Sequence, residues 1–187
     1  MRVIAGTARG TRLAALPGTD VTRPTVDRVK EGMFSAVHFI LPGARVLDLY
    51  AGSGQLGIEA LSRGALRCVF LDENRAAAQI VAQNLKAAGL FSQASVANMG
   101  AEAFLASARE QFDLILLDPP YRQGTLARIL PQVDRVAAPG AVVLCESERG
   151  AELPPRAGGL ALQKQYRYGA VLVSRYHKEQ AEEEGTP

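Results

Sequence analysis

The sequence predicts an α/β domain: a seven-stranded, mostly parallel sheet, a C-terminal antiparallel hairpin at one edge, and a small β-hairpin ahead of the sheet. Three observations predict it. From Arg45 onward, short apolar runs alternate with stretches of helical period at the spacing of βαβ units. Gly64 and Gly89 fall just past two of the helical stretches, where a left-handed cap costs least. The last two apolar runs lie so close together that only an antiparallel turn can join them.

Taken in order, residues 2–16 combine Gly6 and Gly10 with extended apolar positions and read as a hairpin, an appendage spanning 1–24. A helix is expected over 26–39, with Thr25 as N-cap and Asp27 in its first turn. Strands are expected at 45–49, 67–72, 94–97, 112–117 and 141–146, each mostly apolar, as strands covered on both faces should be. Helices at 55–63, 74–88, 101–108 and 126–137 separate them. The stretch 150–159, with two prolines and three glycines, breaks the alternation before strands at 160–166 and 170–176. The main domain is thus expected over 25–178, and 179–187, with four glutamates and no cation, as a solvated acidic tail.

Composition sets the bounds. A chain of 187 residues with 48% apolar and 21% charged side chains is one ordinary globular domain, which excludes wholesale disorder. It should bury about 70% of its unfolded surface and needs neither disulfide nor structural metal to fold. No apolar run approaches the ~18 residues of a bilayer span, and the first thirty residues lack a secretory core, so a cytoplasmic protein without a membrane partner is expected. Cys68 and Cys145 sit inside apolar runs, far from any metal-ligand spacing, and read as buried thiols. The net charge of +2 is unevenly placed, since residues 1–45 hold seven basic groups against three acidic ones. Of the 21 cations 17 are arginine, whose guanidinium fork matches phosphate, and a polyanionic partner follows. Nothing in the sequence marks an obligate interface, so a monomer is expected.

Two motifs carry chemistry. Asp48-Leu-Tyr50-Ala51-Gly52-Ser53-Gly54-Gln-Leu-Gly57 follows the first main strand and opens a helix, so its glycines fall where a backbone must turn tightly beside a ligand. Asp72, twenty residues past Gly52 at the end of the next strand, places a carboxylate where ribose hydroxyls would lie, with Glu73 beside it. Asp48 repels a pyrophosphate but suits an ammonium, which favours S-adenosylmethionine over a nicotinamide dinucleotide. Asn98 and Met99 close the third strand, where an adenine edge would be read. The second motif, Asp118-Pro119-Pro120-Tyr121, ends a buried-strand pattern, and the carboxyl ends of parallel strands are where such sheets bind ligands. The prolines restrict the backbone and remove two donors, leaving carbonyls free to face a cleft. Asp118 and the Pro119 carbonyl can then hold both hydrogens of an exocyclic amino group, with Tyr121 stacking on the base.

Together these motifs resemble the amino-methyltransferases that act on adenine or guanine. The resemblance narrows over Thr22-Arg23-Pro24-Thr25-Val-Asp27-Arg28-Val-Lys30-Glu31-Gly-Met33-Phe34, the glycine loop through Arg63-Gly64, Asp118 to Tyr121, and the opening Arg2-Val-Ile-Ala-Gly6. These are similar to the bacterial 16S ribosomal RNA guanine N2-methyltransferases, the guanine(966) family, although Asp72 stands where many relatives carry a glutamate. The resemblance implies a Rossmann-like methyltransferase fold and methyl transfer from S-adenosylmethionine, leaving S-adenosylhomocysteine, to N2 of a guanine, without a metal. It implies 16S rRNA, in the small subunit or an assembly intermediate, as partner. Arg9, Arg12, Arg23, Arg28 and Lys30 are the candidates for gripping its phosphates. Three alternatives stay open: an adenine N6-methyltransferase on DNA or RNA, a nicotinamide-dependent oxidoreductase, and a noncatalytic ribosome-assembly binder.

Overall fold

The computed structural model describes residues 1–16, 24–121 and 124–180, with the side chains of 24–26 left aside. Five helices, α1 (Pro24–Ser35), α2 (Gln55–Ser62), α3 (Arg75–Ala87), α4 (Ala101–Ser107) and α5 (Thr125–Val133), accompany eight strands. The strands are β1 (Arg45–Asp48), β2 (Arg67–Asp72), β3 (Ala94–Asn98), β4 (Phe112–Leu117), β5 (Ala137–Glu148), β6 (Arg156–Ala157), β7 (Leu160–Tyr168) and β8 (Val171–Lys178). They form one sheet in the order β3-β2-β1-β4-β5-β8-β7-β6. The first five run parallel, and β8, β7 and β6 add antiparallel. None of the described helices is long and apolar enough to cross a membrane.

The expected class holds, with four departures. The eighth strand is β6, two residues inside the Pro/Gly-rich stretch, folded back on β7 through Gly158, whose φ of 62° suits glycine alone. The helix expected to reach 137 stops at Val133; a 3₁₀ turn follows over Asp134–Val136, and β5 starts at Ala137 opposite Phe112. α1 begins at Pro24, a residue suited to a first helical turn, and ends at Ser35 in i+3 contacts rather than running to 39. β3 is not the buried strand expected: it lies at the sheet's edge, and its residues are half-buried or exposed.

Strand alternation divides the core into two layers. Val46, Leu116 and Leu144 face Met33, Phe34 and Ile58 on one side, whereas Leu47, Leu117 and Cys145 face Ile129, Val133 and Tyr176 on the other. Both cysteines are buried and free. The N-terminal hairpin is pinned by a single antiparallel bridge, Arg2 with Arg12, and packs Val3, Ala8 and Leu13 into the first layer rather than standing apart from it. Glu59 of α2 holds it there, accepting from the amides of Ile4 (2.8 Å) and Ala5 (3.0 Å).

Candidate active site

The carboxyl ends of β1, β4 and β5 meet where parallel strands leave their last carbonyls and side chains facing a crevice. Register pairs Leu116 with Leu144 and Leu117 with Cys145, so Asp118 follows beside Glu146. By the same alternation Asp48, Asp118 and Glu146 all project toward the first core layer. Three neighbouring strands thus each carry an acid at or near their carboxyl ends on one face.

Asp48 is 1% exposed. Its Oδ2 accepts from the Gly57 amide at 2.9 Å, while Oδ1 is buried without a partner among the described residues. Burial, with the nearby charge of Asp72, pushes its carboxyl up to about 7 against the opposing pull of the Gly57 N–H. An orphaned buried acceptor of this kind fits a cationic group arriving from outside. The adjoining loop turns at Gly52 (φ 54°) and Gly54 (φ 78°). A Cβ on Gly52 would meet nothing within 4 Å, so the turn borders open space. One on Gly57 would lie 2.3 Å from the Phe70 ring, so this third glycine lets α2 close onto β2. Ala51 donates to the Leu71 carbonyl (2.8 Å), buried Ser53 offers its hydroxyl to Met1 Sδ at 3.6 Å, and half-buried Tyr50 packs against the second layer.

At the end of β2, Asp72 Oδ2 accepts from the Gly52 amide (2.9 Å) and Oδ1 from the Asn74 amide (2.8 Å). It therefore braces the glycine loop, and the exposed carboxylate on this rim belongs to Glu73, which faces Gly100. Asn98 donates to the carbonyls of Asp72 (2.9 Å) and Glu73 (2.8 Å), and Met99, 41% exposed, offers an apolar surface beside them. Asp48, Tyr50 to Gly54, Asp72, Glu73, Asn98 and Met99 thus gather along one rim.

The tetrapeptide opens the other side. The Asp118 carboxyl has no hydrogen-bond partner among the described residues. Burial and the charges of Glu146 and Asp48 raise its carboxyl well above the ordinary range. Pro119 is buried, and Tyr121 is 51% exposed at the mouth of a cavity of about 310 Å³ bounded by Pro119, Leu126, Glu146 and Leu153. The Tyr121 hydroxyl donates to Glu146 Oε1 at 3.1 Å. Burial raises the Glu146 carboxyl, an effect this donation opposes. Sequence reasoning missed Glu146, although an acid closing an apolar run, as in Asp48 and Asp118, was the available signal.

The basic candidates divide. Arg9, Arg12 and Arg28 are exposed and form no side-chain ion pair or hydrogen bond among the described residues; Arg9 and Arg28 border an open cavity of about 650 Å³ with Arg63. Arg23 lies outside the described residues. Lys30 corrects the expectation: it is 2% exposed, donates to the Arg2 carbonyl at 2.6 Å and lies 3.4 Å from Glu59. Burial pulls its ammonium pKa down, so it fastens the hairpin rather than meeting phosphate. Also unanticipated is Asn84, buried in α3, which donates to the carbonyls of Ser53 (2.8 Å) and Ala14 (3.0 Å) and ties the glycine loop to the hairpin's end.

Comparison with known proteins adds that a family described as conserved hypothetical protein 95 matches residues 1–177. The chain belongs to this family. It is 41% identical to YlbH of Bacillus subtilis over 95% of this chain and 99% of that one. It is 34% identical to ribosomal RNA small subunit methyltransferase D of Escherichia coli over 96% of this chain and 90% of that one. Among solved structures, yhhF of Escherichia coli superposes with a TM-score of 0.83 at 33% identity, covering 96% and 98% of the two chains. HI0767 of Haemophilus influenzae superposes at 0.80 with 30% identity over the same shares. The family fold is that of methyltransferases, and the chain is an enzyme of that kind.

Proposed function

We propose that this enzyme methylates the exocyclic N2 of one guanine in 16S rRNA, in the small subunit or an intermediate of its assembly, with S-adenosylmethionine as donor. The observation that carries the reading is Asp118: a carboxylate without a hydrogen bond among the described residues, at the end of β4 beside the glycine loop, followed by two residues that cannot donate. Asp48 would hold the cofactor's ammonium, Glu73 and Asp72 its ribose, and Met99 and Asn98 would flank its adenine. When bound, S-adenosylmethionine supplies a methyl group on a sulfonium, a leaving group that needs no metal.

Asp118 and the Pro119 carbonyl accept the two N2 hydrogens and turn the nitrogen lone pair, otherwise delocalised into the base, outward toward the glycine loop. Such alignment is worth up to about 7–11 kcal/mol of barrier. As N2 becomes positive the Asp118 carboxylate stabilises it and takes the proton released. Tyr121 offers its ring to the flipped base, where stacking contributes about 1–3 kcal/mol. Arg9, Arg12 and Arg28, with Arg23, would meet the RNA backbone. The enzyme would act as a cytoplasmic monomer.

The test is incubation with radiolabelled S-adenosylmethionine and small subunits lacking the modification, followed by nucleoside digestion. N2-methylguanosine is the expected product, and Asp118→Ala should lower the rate by at least about 10²–10³-fold with cofactor binding intact. N6-methyladenosine instead would transfer the same chemistry to adenine, and near-normal turnover of Asp118→Ala would remove the role given to that residue.

A further inference from the structure

Asp118-Pro119-Pro120-Tyr121 can hold the amino group of either purine, so it does not by itself select guanine. The two bases differ at the atom next door. Beside its amino group guanine presents N1–H, a donor, whereas adenine presents a bare N1 lone pair. A selective site needs an acceptor there that cannot also donate, and an ionised carboxylate is the strong side-chain acceptor of that description.

Glu146 has the position. It sits one strand across from Asp118 on the same face, at the end of the run Val142 to Cys145, and is largely enclosed. It borders two cavities, one shared with Pro119 and Tyr121, the other, of about 100 Å³, with Lys30, Gln55 and Val171. Tyr121 Oη donates to its Oε1, and no hydrogen bond to Oε2 exists among the described residues. The hydroxyl contact thus aims the carboxylate and leaves an oxygen for a ligand. No cation pairs with Glu146 among the described residues, so no protein group competes with an incoming N–H donor for its second oxygen.

Resting on the guanine reading above, we infer that Glu146 accepts the N1–H of the target base, and that the pair Asp118 and Glu146 selects guanine by matching two adjacent donors. Opposite adenine the same carboxylate would meet a lone pair, an unpaired and repulsive contact that rejects the base. Tyr121 then has two jobs, stacking through its ring and orienting Glu146 through its hydroxyl.

The experiment uses small subunits reconstituted with 16S rRNA carrying either guanosine or 2-aminopurine riboside at the methylated position. 2-Aminopurine keeps the N2 amino group, presents a lone pair in place of N1–H and lacks O6, so the comparison with a Glu146 variant isolates the contribution of N1. The wild-type enzyme should prefer guanine by about 100-fold or more in kcat/KM, as sites built around a substrate N–H reject analogues that lack it. Glu146→Gln, whose amide can donate as well as accept, should reduce that preference to below about tenfold while binding S-adenosylhomocysteine as the wild type does. A wild-type enzyme that methylates both substrates alike overturns the inference without any variant, as does a Glu146→Gln enzyme with the wild-type preference. Absence of N2-methylguanosine from the wild-type guanosine reaction overturns the guanine reading itself; N2-methylguanosine with an unchanged preference overturns only the role of Glu146.

Discussion

Asp48 carries its charge at a cost the rest of the fold does not relieve. One oxygen has the Gly57 amide, the other has no partner among the described residues, and burial pushes its carboxyl up to about 7. Because the folded value lies above the unfolded one, this group favours the free protein fully below the ordinary carboxylate range. That contribution declines as pH rises toward 7 and is absent above it. A bound ammonium reverses the balance by drawing Asp48 into its charged form, so cofactor affinity should fall about tenfold per pH unit below 7 and level off above it. Calorimetric titration with S-adenosylhomocysteine between pH 6 and 8 measures this. Asp48→Asn should flatten the profile, weaken binding, and raise the melting temperature of the free protein at pH 8. A wild-type affinity constant across the range would separate Asp48 from the ammonium. Asp48 and Asp118 were both legible in the sequence because each interrupts an apolar run at a motif. Glu146 interrupts one too, but no motif flags it, and its pairing with Asp118 exists only in the β4–β5 register.

α2 shows how far local pattern reaches and where it stops. The spacing of Gly52, Gly54 and Gly57 announces a turn and a close helix–strand contact, and the structure supplies the contact: the Phe70 ring of β2 occupies the space a side chain at 57 would need. Gly57→Ala should push α2 off the sheet and destabilise the protein by about 1–3 kcal/mol, read as a lower urea midpoint with an unchanged slope. The shift would carry the Gly57 amide away from Asp48 and weaken cofactor binding as well; a variant as stable as the parent would mean that Phe70 can turn aside. Elsewhere local pattern misleads. Val136 and Ala137 continue the apolar period of α5, yet the chain leaves the helix at Val133, because Ala137 pairs with Phe112 across β4, a contact periodicity does not register. The two residues of β6 were hidden for the same reason, their partners Leu160 and Ala161 lying beyond a glycine turn.

On the scale of the molecule, basic charge near the N terminus does two different things, and burial separates them. Lys30 and Arg63 converge on the fully buried Glu59, whose oxygens also take the hairpin amides, so this charge is spent inside the protein on fixing the hairpin to α2. Arg9 and Arg28 face the open cavity beside that junction and carry no ion-pair partner among the described residues. Composition shows the excess of cations in this segment but not which of them reach solvent. The two populations predict opposite mutational signatures. Arg9→Ala with Arg28→Ala should lower the slope of log affinity for small-subunit RNA against log salt by about 1.4–1.8, since each phosphate contact releases roughly 0.7–0.9 of a counterion, and should leave the melting temperature nearly unchanged. Lys30→Met should leave that slope unaltered and lower the melting temperature, because removing one partner from a buried charge cluster costs about 3–5 kcal/mol. Filter-binding titrations from 50 to 300 mM salt and thermal melts on the same preparations distinguish the two. An unchanged slope in the double-arginine variant would place the RNA on another face, whereas a reduced slope in Lys30→Met would mean that the hairpin must be held in place before the arginines can reach their phosphates.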